Sequence, residues 1–269
     1  MFRMQFQRIW KSKQTAITIY AVMAVVLFNF SYNAYSNWQT HYITEMYDPI
    51  MTLTLSDWTP AGYFFMLFYP ILLVLPTAVS FQADRESGVV LYLLSKSSRR
   101  NYWFSKLLSV FAVTFCIFTV PFLIELFLQC ICFDMRSNGE PSGFTFFQTV
   151  ESLKAWPLGT LFIYNRVLYA ALFITIFGII SAIMACFNFS LSTLPIFKYK
   201  IFSFFPIYAL LYIIALYDNF QSEYAYNFMT AFKIFPAKNV NYPAWLIIFG
   251  FMILFTLIFL EGQIRKDEL

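Results

Sequence analysis

One carboxylate stands apart in this sequence. Glu125 lies well inside a long apolar run, four positions after Pro121 and four before Gln129. Residues four apart share a helical face, so the three form one polar-marked stripe. An ionisable group within a membrane-crossing helix costs about 2.5–3.5 kcal/mol on insertion scales and is by default a functional candidate. Arg166, at the edge of a later apolar run, is the expected partner of Glu125. A structural ion pair is the favoured reading over a substrate or proton role, because one carboxylate does not make a relay.

The other reactive residue types are sparse. Cys116, Cys130, Cys132 and Cys186 all fall in apolar runs, where a thiol acts as a small hydrophobe. They form no Cys-x-x-Cys pair, and Cys130 and Cys132 point to different helical faces, so neither a disulfide nor a metal site is expected. His41 is the single histidine, whereas a zinc site needs three or four clustered ligands. The eight glycines form neither G-x-x-x-x-G-K nor G-x-G-x-x-G, so the chain has no phosphate loop of its own.

These residues must be carried by membrane helices. Of 269 residues, 60% are hydrophobic and 12% charged, against about 45–50% and about 25% in soluble domains. A span needs about 20 mostly apolar residues. Six are expected, over 15–35, 61–81, 107–133, 167–189, 201–217 and 244–260, the fifth and sixth short and aromatic-rich. Lysine and arginine then set orientation. Thirteen of the 18 basic residues fall on one side: Arg3, Arg8, Lys11 and Lys13, then Arg85, Lys96, Arg99, Arg100 and Lys106, then Lys198 and Lys200, then Arg265 and Lys266. The opposite segments hold Arg136, Lys154, Arg166, Lys233 and Lys238, and the first of them has only acids, Glu45, Asp48 and Asp57. Both termini are therefore expected in the cytoplasm.

The basic N-terminus followed by an apolar run reads as a retained first span rather than a cleaved leader, since the run is about 20 residues and lacks a small-x-small site. The last four residues, Lys266-Asp267-Glu268-Leu269, match a luminal retrieval signal, but a cytoplasmic tail makes the match coincidental. The sequons at Asn29 and Asn188 sit within or beside spans, where glycosylation is not expected. Aromatic residues reach 22%, led by 35 phenylalanines, and are read as lipid-facing and helix-packing surface.

Two cytoplasmic segments carry more pattern than an anchor needs. In 1–14, Phe2, Phe6, Ile9 and Trp10 fall on one stripe and Arg8 and Lys11 opposite, which predicts an interfacial amphipathic helix. The segment 82–106 opens with Asp84, Arg85, Glu86 and Gly88. It continues through an apolar turn and a half (Val89, Val90, Leu93, Leu94), a polar break and a basic cluster. A short amphipathic helix bracketed by charge can dock into a partner's groove.

This stretch resembles the coupling-helix region of ABC-2 type transporter permeases. The family tends to show an acidic-basic-x-x-Gly opening, a Leu-Leu pair, a Pro/Ser-Arg turn and a lysine entering the third span. Arg85, Glu86, Gly88, Leu93, Leu94, Ser98, Arg99 and Lys106 match, with Asp84 preceding them. Val89 stands where the family often has threonine, and Lys96-Ser97 where it often has proline. The resemblance implies an all-α, polytopic permease domain over 1–269: spans one and two within 15–81, a coupling segment over 82–106, spans three to six within 107–260, and a tail over 261–269. It also implies a re-entrant helical pair between spans five and six. The segment 223–242 is apolar enough for that, with an interfacial aromatic loop as the alternative.

By the same resemblance, the chain is a transport subunit and not an enzyme. It is expected in a bacterial cell membrane, binding no cofactor itself and no nucleic acid. ATP and magnesium would sit on separate ATPase subunits docked at the coupling segment. A second permease chain, alike or related, would complete the path. The substrate is expected to be amphipathic: an antimicrobial peptide, a drug or a lipid-like molecule. Three other readings carry less. A secondary transporter or channel without an ATPase would call for repeats and charged midplane sites, and only Glu125 is present. An intramembrane enzyme lacks paired carboxylates. A lumen-facing protein with a true retrieval tag runs against the charge bias.

Overall fold

A computed structural model describes residues 1–38, 42, 46, 48–56, 59–78, 80, 83–84, 88, 90, 93, 98–135, 158–194, 203–218, 224–234 and 240–265. Among these residues the chain is all-helical. The helices are α1 (Phe2–Trp10), α2 (Lys13–Ser36), α3 (Pro60–Val74), α4 (Arg99–Cys132), α5 (Gly159–Tyr164), α6 (Arg166–Ser192), α7 (Phe205–Asp218), α8 (Phe228–Ala231) and α9 (Tyr242–Arg265). Extended backbone pairs only at an isolated parallel bridge between Ala225 and Val240 among the described residues.

Four helices, α2, α4, α6 and α9, are long and apolar enough to cross a membrane, and α3 and α7 are shorter apolar helices. This differs from the expected six full-length spans in identifiable ways. The helix expected over 61–81 ends at Val74 and continues as turns to Ala78, where Thr77 and Ala78 donate to the Val74 carbonyl. Pro76 lies in that stretch, and a proline has no N–H to extend a helix and crowds the preceding turn. At 15 residues α3 spans about 22 Å, short of the roughly 30 Å hydrocarbon core. The 14-residue α7 is similarly short.

The helix of the third expected span, α4, is longer than the pattern implies. It begins at Arg99, where the Ser98 hydroxyl accepts from the Asn101 N–H, and runs 34 residues, about 51 Å. The basic end of the expected loop is thus the first two turns of α4. In 224–234, within the stretch expected to hold two re-entrant helices, the described residues form one helical turn, α8.

The N-terminal helix also faces another way. Gln5 and Ile9 are buried, and Arg8 turns inward, while Phe2, Phe6 and Trp10 form a stacked ladder with centroids 5.9 and 5.7 Å apart. Phe2 and Trp10 are exposed. Phe6 packs against the core, so only the two ends of the aromatic stripe face outward, while Asp84 draws Arg8 inward.

The centre is the α4–α6 pair, with α1 and α2 laid on α4 and α9 on α6. Without a water-driven force between lipid-embedded helices, close packing and hydrogen bonds hold such a bundle. Here Phe65, Tyr69, Phe118, Phe122 and Phe177 interlock, with Phe65–Phe122 at 5.2 Å and Tyr69–Phe177 at 5.3 Å between centroids. Ser181 donates to the Phe177 carbonyl, so the Tyr69 hydroxyl donates to Ser181 Oγ at 2.8 Å.

The segment 48–56, between α2 and α3, folds into the bundle. Ile50, Leu53, Leu55, Thr54 and Ser56 are all buried. Gly62 in the first turn of α3 admits it: a Cβ there would meet the Ser56 carbonyl oxygen at 2.7 Å and Thr59 Oγ1 at 2.9 Å. Backbone cannot yield as a side chain tip does. Gly62→Ala is expected to cost about 1–3 kcal/mol, read as a lower melting temperature of the detergent-solubilised chain. Unchanged melting would show that the segment has room to shift.

Candidate functional site

Two buried polar clusters occupy the two ends of α4. The first joins α1, Asp84 and the start of α4. Asp84 Oδ2 accepts from Lys106 Nζ at 2.7 Å and its Oδ1 from Arg8 Nη2 at 2.8 Å. Lys106 Nζ also donates to Gln5 Oε1 at 3.4 Å. Lys106 is 1% exposed, and Asp84 is the carboxylate that a buried ammonium there needs as its partner. Ser109 donates to the Ser105 carbonyl, at 2.6 Å, and reaches the Phe2 carbonyl, at 3.4 Å.

Of the residues marked for ATPase docking, Asp84 and Lys106 are therefore internal and bonded to each other. Leu93 is buried, Ser98 caps α4, and Arg99 is half-buried. Gly88 is exposed with φ +67°, a left-handed conformation that suits glycine. Arg85, Glu86 and Leu94 lie outside the described residues, as do His41 and 266–269.

The second cluster surrounds Glu125, 19 positions further along α4, or about 29 Å. Glu125 Oε1 accepts from Asn29 Nδ2 at 2.8 Å, the Thr54 N–H at 2.9 Å and the Thr54 hydroxyl at 2.7 Å. Asn29 and Asn33 on α2 both donate to the Thr52 carbonyl at 2.8 Å. Pro121, Glu125 and Gln129 are buried together on one face, as their spacing predicts. Glu125 Oε2 and both amide atoms of Gln129 are buried without a hydrogen-bond partner among the described residues.

The expected Glu125–Arg166 pair is not formed. Arg166 instead bridges to Asp48 Oδ2 at 3.1 Å and lies 5.3 Å from the Phe162 ring centre. Asp48 Oδ1 also accepts from the Ile50 N–H at 2.9 Å. Two of the three donors to Glu125 come from a segment whose place between two spans suggests a solvated loop. Its sequence, Ile50-Met51-Thr52-Leu53-Thr54-Leu55-Ser56, alternates apolar and hydroxyl residues, and that alternation is the signal of its burial. The same segment closes onto the later one, where the Ile234 N–H donates to the Leu55 carbonyl at 2.8 Å and Tyr169 donates to the Ile234 carbonyl at 3.2 Å.

All four cysteines are free thiols, and Cys186 lies buried with its Sγ 3.7 Å from the Leu107 carbonyl. Among the described residues no three His, Cys, Asp or Glu side chains gather as metal ligands.

Compared with protein-family models, curated proteins and solved structures, the chain matches none. Among the described residues it is all-helical, with four helices long and apolar enough to cross a membrane, braced by buried polar contacts at both ends of its central helix.

Burial pushes the Asp48 carboxyl above the usual carboxylate range, against the Ile50 N–H, the Arg166 guanidinium and the Met51 N–H. A carboxyl raised in the folded state loses its stabilising contribution as pH rises through the folded value. Arg166→Gln removes one opposing influence, so its stability deficit should grow from acid towards neutral pH. Thermal melting from about pH 4 to 8 checks this, and a deficit independent of pH would contradict it. At the other acid, Glu125→Gln keeps an acceptor at Oε1 and should assemble normally. Glu125→Leu strands the Asn29 and Thr54 donors at about 1–3 kcal/mol each, visible as lost monodispersity on gel filtration. Equal behaviour of the two variants would show that the acceptor is not needed.

Proposed function

We propose that this chain is the membrane-spanning permease subunit of an ATP-driven exporter. The observation that carries the reading is the Arg8–Asp84–Lys106 junction. It ties the N-terminal helix and the segment resembling a coupling helix to the central helix α4. A push on that segment would pass through buried charge into the bundle rather than dissipate in a loose loop. Rigid-body switching between inward and outward access needs such stiff transmission.

In this reading α2, α3, α4, α6, α7 and α9 are six spans. The shorter α3 and α7 are completed by non-helical backbone held within protein. The basic-residue bias favours both termini in the cytoplasm, the resemblance implies a bacterial cell membrane, and the Lys106 cluster would then sit at the inner boundary. Glu125, about 29 Å away along α4, then lies near the outer boundary rather than at mid-depth. The ATPase would meet Arg85, Glu86, Gly88, Arg99 and the exposed Arg100, while Asp84 and Lys106 brace the segment from behind. A second permease chain would complete the path. The substrate class is amphipathic: antimicrobial peptide, drug or lipid-like molecule.

A second reading, a secondary transporter without an ATPase, draws on one observation. Glu125 Oε2 and the Gln129 amide lack partners among the described residues and could take a proton or cation. Purification of the tagged chain from its host separates the two. The ATPase-driven reading expects a soluble ATPase to co-purify, and Glu86→Arg with Arg99→Glu to release or uncouple it while membrane insertion stays normal. A lone chain that transports, or an ATPase still coupled after both reversals, overturns that assignment.

A further inference from the structure

A cavity of about 130 Å³ opens between α1, the start of α2 and the residues after α3. Its walls include Arg8, Ser12, Gln14, Ser80, Asp84 and Lys106. The volume is many times the roughly 10–15 Å³ that admits one water, enough for a tetrahedral oxyanion. We propose that this cavity binds a phosphate group, held by Arg8 and Ser80 at the N-terminal end of α2.

The charge balance favours an anion. Two cations, Arg8 and Lys106, face one carboxylate, and Asp84 has committed one oxygen to each. Among the described residues that line the cavity, one positive charge remains in excess. The leftover hydrogen-bonding capacity points the same way. Arg8 Nη1 and Ser80 Oγ are both buried and have no partner among the described residues. The cavity also lies at the start of the 24-residue α2, whose Ser12 cap lines it and whose dipole favours negative charge. Guanidinium, hydroxyl and helix N-terminus together are the donor set that suits a phosphate's several oxygens.

Position indicates where such a group comes from. Phe2 and Trp10 are exposed on α1, close to Arg8 in sequence, while Phe6 between them packs against the core. An exposed tryptophan beside a basic residue suits the headgroup level of a bilayer. Arg8 is 35% exposed at the rim, so a headgroup phosphate could enter without opening the bundle. The shared chemistry is a phosphate oxyanion, and both a phospholipid headgroup and a soluble phosphate compound carry it.

The test uses the full chain, purified in detergent and stripped of lipid. Thermal unfolding is followed while titrating phosphatidylglycerol, inorganic phosphate, or diacylglycerol as a lipid without a phosphate. A rise with phosphatidylglycerol but not with diacylglycerol identifies the lipid source, and a rise with inorganic phosphate a soluble one. Arg8→Gln should weaken the apparent affinity about tenfold or more. Because Arg8→Gln also breaks an ion pair, Ser80→Val is the companion. It removes the hydroxyl and narrows the cavity without altering the side chains of the Arg8–Asp84–Lys106 contacts, and should weaken binding at least about threefold. If wild type responds to neither phosphate probe, or if both variants keep the wild-type response, the proposal is wrong. Should the variants melt too early to titrate, native mass spectrometry takes the place of melting. Phospholipid retained on wild type but lost from Ser80→Val then supports the proposal, and equal retention on both overturns it.

Discussion

A buried ammonium has to be met by a carboxylate, and the position of Lys106 imposes that demand at the start of the central helix. Asp84 answers it with one oxygen and gives the other to Arg8. Three segments far apart in sequence are thereby fixed at one point: the N-terminal helix, the residues after α3, and α4. Removing either partner of such a pair leaves an uncompensated charge, which is why this junction governs the geometry around it. The inward turn of Arg8 and the cavity beside Ser80 both follow from it.

The other end of α4 repeats the principle with neutral donors. Glu125 gathers three hydrogen bonds on one oxygen, two of them from Thr54 in a segment that enters the bundle. That entry is possible because Gly62 presents no side chain and because the segment's own backbone finds partners such as Asn29 and Asn33. Between the two ends, α4 and α6 meet through aromatic rings such as Phe118 and Phe177, and the Tyr69–Ser181 bond pins α3 to α6 beside them. A stiff central pair held by polar contacts at both ends is a suitable lever for coupled motion, and the exporter reading draws on that property.

Part of the candidate site is legible in the amino-acid sequence alone. The stripe of Pro121, Glu125 and Gln129 follows from four-residue spacing, and all three are buried. The significance of 82–106 is visible as charge and apolar pattern, yet the roles divide differently. Asp84 and Lys106 carry the same charges as their docking-candidate neighbours, and nothing in the pattern marks them as facing inward. Arg166 meets Asp48 rather than Glu125, because sequence distance says nothing about which loop returns to which helix end.

The sequence by itself determined that the protein is helical and that long apolar helices carry it. Those are properties of composition and local period, set residue by residue through the requirement that backbone groups be satisfied within each helix. It also determined where charge is scarce enough to matter. Only the tertiary structure decided which charges meet, that 48–56 lies inside the bundle, and that α3 stops short of its apolar run. Partner choice among buried polar groups depends on positions brought together across 118 residues of chain in Asp48–Arg166, and across more in Leu55–Ile234. Such contacts are properties of packing, and no local pattern encodes them.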